Sequence, residues 1–117
     1  IREVKFDVNG TVIHNAILAG STSYGYVEGT LKQARYNTPY EIASIGNDLD
    51  MVADSGNSRM RIVDTLTNRT VPVCLKSSAS CDYLPTGNYA VLPINNDVYI
   101  GYSQQIYKLA GELIIMK

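Results

Sequence analysis

This chain lacks any long run of one kind of residue. Its longest purely apolar stretches, Ala16 to Ala19 and Leu113 to Met116, fall far short of the roughly 20 residues a membrane-spanning helix needs, so no membrane insertion is expected. No charged-then-apolar leader opens the chain; export would require a leader already removed. Lysine and arginine total 10 against 11 acidic residues, with the two signs interspersed. Without a basic block there is no electrostatic footprint for nucleic acid or anionic lipid. Histidine occurs once, at His14, with no nucleophile motif beside it, so a satisfied strand histidine fits better than a Ser-His-Asp or Cys-His arrangement. No glycine-rich phosphate cradle follows any strand pattern. Asp48, Asp50 and Asp54, with Asn47 and Asn57, lack the tight D-x-D-x-D-G loop and distal Glu of a calcium site and read as solvated turn residues. Neither a cofactor nor a metal is expected.

Cysteine occurs twice, in the string CLKSSASC that contains Cys74 and Cys81. That spacing is too wide for a CxxC redox or zinc knuckle, and no second pair completes a metal site. A local disulfide is the favoured reading, with two reduced, buried thiols as the alternative. Oxidised cysteines imply an extracytoplasmic compartment, whether secreted, periplasmic or at the cell surface. Asn9-Gly10-Thr11 and Asn68-Arg69-Thr70 are N-x-T sequons beside turns, which matter only in a eukaryotic or viral source.

What the chain does have is period-2 alternation punctuated by turn residues. Residues 1–117 read as a single β domain, long enough to bury roughly two thirds of the surface of its unfolded chain. Val4 to Val8 alternates apolar and polar, and Asn9-Gly10 follows as a hairpin signal. Thr11 to Ala19 forms a second strand and stops at Gly20-Ser21-Thr22-Ser23. Tyr24 to Tyr36 is open between a strand pair and a short helix at Thr30 to Arg35. After the break at Asn37-Thr38-Pro39 come strands at Tyr40 to Ile45, Leu49 to Ala53, Ser58 to Val63, and Arg69 to Leu75, where Pro72 suggests a sheet edge. Tyr89 to Ile94, Val98 to Tyr102 and Glu112 to Lys117 complete the series. About nine short strands with no helix-length amphipathic segment predict an all-β fold, an immunoglobulin-like β-sandwich or a small β-barrel.

Nine tyrosines stand against one phenylalanine and no tryptophan. Tyrosine combines a large apolar ring with a hydroxyl that tolerates water, which suits either a contact surface or half-exposed strand positions.

The stretch from Met51 to Asp64, MVADSGNSRMRIVD, carries the one motif with chemistry attached. Met51-Val52-Ala53 before Asp54-Ser55-Gly56, with Leu109-Ala110-Gly111 later in the chain, resembles single-lobe retroviral-type aspartic proteases. That resemblance implies a homodimer in which Asp54 joins its counterpart as acid or base, Ser55 steadies the carboxylate and Gly56 allows a tight loop. The same four residues, Asp54-Ser55-Gly56-Asn57, are each favoured in an ordinary hairpin turn, and this reading is preferred. Whether the chain is an enzyme stays open at this point, with the balance against it and a homodimeric aspartic endopeptidase using Asp54 as the alternative.

A second resemblance covers the whole chain. Phe6-Asp7-Val8-Asn9-Gly10-Thr11-Val12, Arg61-Ile62-Val63-Asp64 through Thr70-Val71-Pro72-Val73, and Leu84-Pro85-Thr86-Gly87-Asn88-Tyr89 are similar to subunits of bacterial chaperone-usher fimbriae. Such subunits are immunoglobulin-like sandwiches completed by a strand from a neighbour. The expectation is therefore a secreted or surface binding module with protein partners, among them like subunits, joined through β-strand addition. The terminal strands carry it, at Val4, Phe6 and Val8 and at Leu113 and Ile115.

Overall fold

The computed structural model describes residues 1–75, 82–83, 89–102, 105–109 and 114–115. Its strands are β1 (Arg2–Phe6), β2 (Val12–Ile17), β3 (Gly29–Thr30), β4 (Pro39–Gly46), β5 (Leu49–Asp54), β6 (Arg59–Asp64), β7 (Arg69–Leu75), β8 (Asp82–Tyr83), β9 (Tyr89–Ile94), β10 (Asp97–Tyr102), β11 (Gln105–Leu109) and β12 (Ile114–Ile115). Every pairing among them is antiparallel, and the only helical piece among the described residues is the 3-10 turn Ser55–Asn57. The fold is all-β, as the alternation predicts.

The strands form three sheets. The largest runs β12-β7-β6-β5-β4, with β3 and β8 also pairing β7; β11-β10-β9 is a second, and β1-β2 a third. Turn chemistry sets the joints. Asn47 and Asp48 both take positive φ, 54° and 60°, which gives the two-residue β4–β5 turn the twist that a hairpin requires. Asn95, with φ 55°, opens the equally short turn between β9 and β10.

β5 and β6 lie inside the large sheet and are covered on both faces. On one face Met51, Ala53, Met60, Ile62, Val71 and Val73 pack against Val91 and Ile100 of the second sheet. On the other, Val52 and Val63 pack with Ala19, Leu31, Ala34 and Tyr36, which belong to the irregular segment between β2 and β4. Burying apolar side chains at about 25 cal/mol per Å² makes this double-sided core the main source of stability.

The structure departs from the strand expectations at several places. β1 stops at Phe6, because the Asp7 carboxylate accepts the Asn9 and Thr11 N–H groups, both at 2.9 Å, and so places Val8 in the turn. Segment 24–36 holds no helix; Val27 and Arg35 form an isolated antiparallel bridge across a turn in which Ala34 N–H donates to Thr30 O at 3.0 Å. β7 is interior, and Pro72 falls between its pairings with β3 and β12. β11 was not anticipated, because Ile106, Tyr107 and Lys108 are all exposed and leave no alternating signature.

Candidate functional site

Asp54 ends β5 on the face that it shares with Val52, and the Asp54–Arg59 register places Arg61 and Val63 on that same face of β6. Asp54 is 0% exposed and so is Arg61. Two charges taken this far out of water need partners, because the desolvation of each ion costs several kcal/mol. They have them. The Arg61 Nη1 donates to Asp54 Oδ2 at 2.9 Å and to Arg35 O, and Nη2 donates to Val27 O at 2.6 Å. Arg61 Nε lies 3.1 Å from Glu28 Oε1, a second ion pair at the edge of the site. The guanidinium also sits 4.1 Å from the ring centre of Tyr36 and 5.0 Å from that of Tyr26, two cation–π contacts.

The carboxylate is equally occupied. Asp54 Oδ1 accepts the Asn37 N–H at 2.7 Å, and Oδ2 accepts Asn57 Nδ2 at 2.7 Å as well as Arg61. Asn57 Nδ2 donates also to Gly25 O at 2.7 Å. Gly56 N–H donates to Asn37 O at 2.8 Å, and a Cβ at position 56 would stand only 2.5 Å from that oxygen. Each residue of Asp54-Ser55-Gly56-Asn57 except Ser55 therefore helps bind the segment from Gly25 to Asn37 onto the β5–β6 hairpin. The hairpin reading of this stretch describes its backbone correctly, but Asp54 is no solvated turn carboxylate. The glycine serves an approach within the chain, to Asn37. In this chain the Asp54 carboxylate is wholly buried and holds Asn37, Asn57 and Arg61.

Val4, Phe6 and Val8 belong to the β1–β2 hairpin and the turn that follows β1. Among the described residues β1 and β2 pair only with each other, with Arg2 opposite Ile17, Val4 opposite Asn15 and Lys5 opposite His14. Alternation sorts the hairpin into two faces. Glu3, Lys5 and His14 share the polar one, where Glu3 Oε1 lies 3.5 Å from Lys5 Nζ and 3.2 Å from His14 Nε2. Val4, Phe6, Ile13 and Ile17 share the other and are uncovered, Phe6 at 59% and Ile13 at 66% exposure. Val8 stands fully exposed at the tip. Near the root of the hairpin a cleft of about 230 Å³ separates Ile1 and Arg2 from Tyr40 and Ile42 on β4.

At the other terminus, Ile115 lies opposite Val73 in the β12–β7 pairing, so that strand is already built into the large sheet. Leu113, Cys81 and the cysteine pairing lie outside the described residues, as does the Ala110-Gly111 part of the protease-like segment. Sequence reasoning missed Arg61 and Glu28. A usable signal existed: Arg61 follows Met60 and precedes Ile62-Val63 in a strand whose hairpin register aligns it diagonally with Asp54.

No protein-family model matches the chain, and neither a curated protein nor a solved structure shows significant similarity to it. The functional reading therefore rests on this geometry alone.

Proposed function

We infer that this chain is an extracytoplasmic structural or adhesive module that associates with protein partners through β-strand addition. The observation that carries the reading is the β1–β2 hairpin. A two-stranded sheet is marginal in water by itself, and this one leaves an apolar face uncovered and an outer strand edge unpaired among the described residues. Adding a strand extends the ladder and shelters the edge, the arrangement used wherever an extended segment docks on a sheet. The spacing of Cys74 and Cys81 supports an oxidising location.

β1 is preferred over the C-terminal strand as the exchanging element, because Ile114 and Ile115 are already paired with β7. The test is Val4→Pro. Leu18 N–H donates to Ile1 O at 3.0 Å, so backbone groups alternate with those of Ile1, Glu3 and Lys5 turned toward β2 and those of Arg2, Val4 and Phe6 turned outward. Proline at position 4 removes an outward N–H and leaves the β1–β2 ladder intact. Association with partner chains, followed by sedimentation velocity, should be lost in the variant. Unchanged association would refute the reading for this strand.

A further inference from the structure

We propose that the occupant of the β1 edge is the β1 strand of a second copy, paired antiparallel about a twofold axis at Val4. This rests on the strand-addition reading and adds the partner and the register. Three other edges among the described residues, those of β2, β4 and β11, compare less well. The outer edge of β2 is interrupted, because Lys5 faces His14 while Phe6 faces Val12, which leaves Ile13 as an extra, bulged residue. Bulges of this kind blunt an edge. The outer edge of β4 has irregular register at both ends, between Pro39 and Glu41 and between Ser44 and Gly46, and it begins with a proline. β11, the outer strand of the second sheet, presents the run Ile106-Tyr107-Lys108, whose only charge is already held 3.0 Å from Asp97. β1 runs regularly from Arg2 to Lys5 and offers both signs of charge.

Charge order selects the register. Shifts of one residue would set apolar side chains opposite polar ones, so only registers centred on a residue remain. Centring on Glu3 or Lys5 sets like charges directly opposite each other at the axis, which leaves Arg2, Val4 and Phe6. Centring on Val4 places Glu3 of each copy opposite Lys5 of the other, Arg2 opposite Phe6, and Val4 opposite Val4. It uses the whole strand. The Glu3–Lys5 positions then fall at non-hydrogen-bonded sites, where facing side chains come closest. Centring on Phe6 would oppose Lys5 to Asp7, whose carboxylate is already committed to the turn N–H groups of Asn9 and Thr11. Centring on Arg2 sets arginine against arginine and uses only half of the strand. In the Val4 register two marginal hairpins become one four-stranded sheet, β2-β1-β1-β2, with Val4, Phe6 and Ile17 of both copies on one face and Glu3, Lys5 and His14 on the other.

Charge reversal tests this directly. Lys5 is exposed and Glu3 half-buried, and the contacts of Glu3 with Lys5 and His14 are partly solvated pairs of the kind worth little to folding, so Glu3→Lys and Lys5→Glu should melt close to the wild type. By sedimentation equilibrium the wild type should form a reversible dimer, and each single variant should associate roughly ten- to thirtyfold more weakly, because two attractive cross-strand pairs become repulsive. An equimolar mixture of the two variants should regain the wild-type affinity, since one then offers only positive and the other only negative charge at these positions. If the variants dimerise as well as the wild type while Val4→Pro abolishes association, the register is overturned and strand addition stands. If Val4→Pro and the charge variants all dimerise normally, both ideas fall. A wild type that stays monomeric at millimolar concentration overturns the second copy as occupant and leaves the edge to a different chain.

Discussion

Replacing Asp54 by Asn removes one charge from the interior and changes almost nothing in shape. In the wild type the carboxylate accepts three hydrogen bonds, from Asn37 N, Asn57 Nδ2 and Arg61 Nη1, at 2.7, 2.7 and 2.9 Å. An amide offers one acceptor oxygen, and its NH₂ must then face a donor. Arg61 would keep Glu28 as its sole carboxylate partner while still wholly buried. Breaking a buried pair costs about 3–5 kcal/mol, and because Glu28 remains, the lower end, about 3 kcal/mol, applies here. That is a large share of the 5–15 kcal/mol that typically holds a domain together. With m of about 1–2 kcal/mol/M in urea, the midpoint should fall by roughly 2 M, and the melting temperature by about 12 °C. The same variant should lose exchange protection at the Asn37 amide, whose acceptor is the mutated side chain. A loss below about 0.5 kcal/mol with unchanged protection is what a surface turn residue would give, and it would refute the clamp. The variant also bears on the protease-like motif: neither protein should cleave an unfolded substrate between about pH 4 and 6.5, the window in which a proton-sharing carboxylate pair works. Cleavage by the wild type that disappears in Asp54→Asn would overturn both the clamp and the binding reading.

Three further outcomes follow from the same cluster. Arg61→Lys keeps the charge but loses the planar fork that reaches Val27 O, Arg35 O and Asp54 together and contacts the rings of Tyr26 and Tyr36, so urea denaturation should show a loss of about 2–4 kcal/mol. Gly56→Ala sets a methyl group 2.5 Å from Asn37 O and should cost about 1–3 kcal/mol through overpacking, read as a lowered melting temperature with an unchanged strand signature in circular dichroism. Burial, only partly offset by the hydrogen bond to Thr70 and by Arg61, raises the Tyr36 phenol above its ordinary value of 10.0. The folded state thus resists a deprotonation that the unfolded chain undergoes near 10, so this contribution is whole below that pH and is lost as pH rises toward the folded-state value. Tyr36→Phe should flatten that part of the alkaline stability profile, and at neutral pH it should cost about 1–3 kcal/mol for leaving Thr70 Oγ1 without its 2.9 Å donor. An alkaline loss equally steep in both proteins would show that Tyr36 is not its source.

The candidate docking strand was more legible in the sequence than the clamp. Val4-Lys5-Phe6 followed by Asn9-Gly10 announces a hairpin with one apolar face, and the structure leaves that face bare. Asp54 was legible as a turn residue but not as a buried ion. Strict alternation in Arg59 to Asp64 assigns Met60 and Ile62 to the core and Arg61 to water, and this holds only for a strand with one covered face.

Local sequence decided where the chain runs extended and where it reverses, because alternation and the Asn, Asp and Gly turn residues act within a few positions of themselves. Asn47-Asp48 closes the β4–β5 hairpin by its own backbone preference, whatever lies beside it. Tertiary structure decided what each strand face meets. Wrapping residues 19–37 over β5 and β6 shut out the water that would have solvated Asp54 and Arg61, and their charges had to be matched inside. It also divided the two ends of the chain, pairing β12 with β7 while leaving the outer edge of β1 without a strand among the described residues. These outcomes depend on contacts between residues far apart in sequence, whose free energies no local pattern contains.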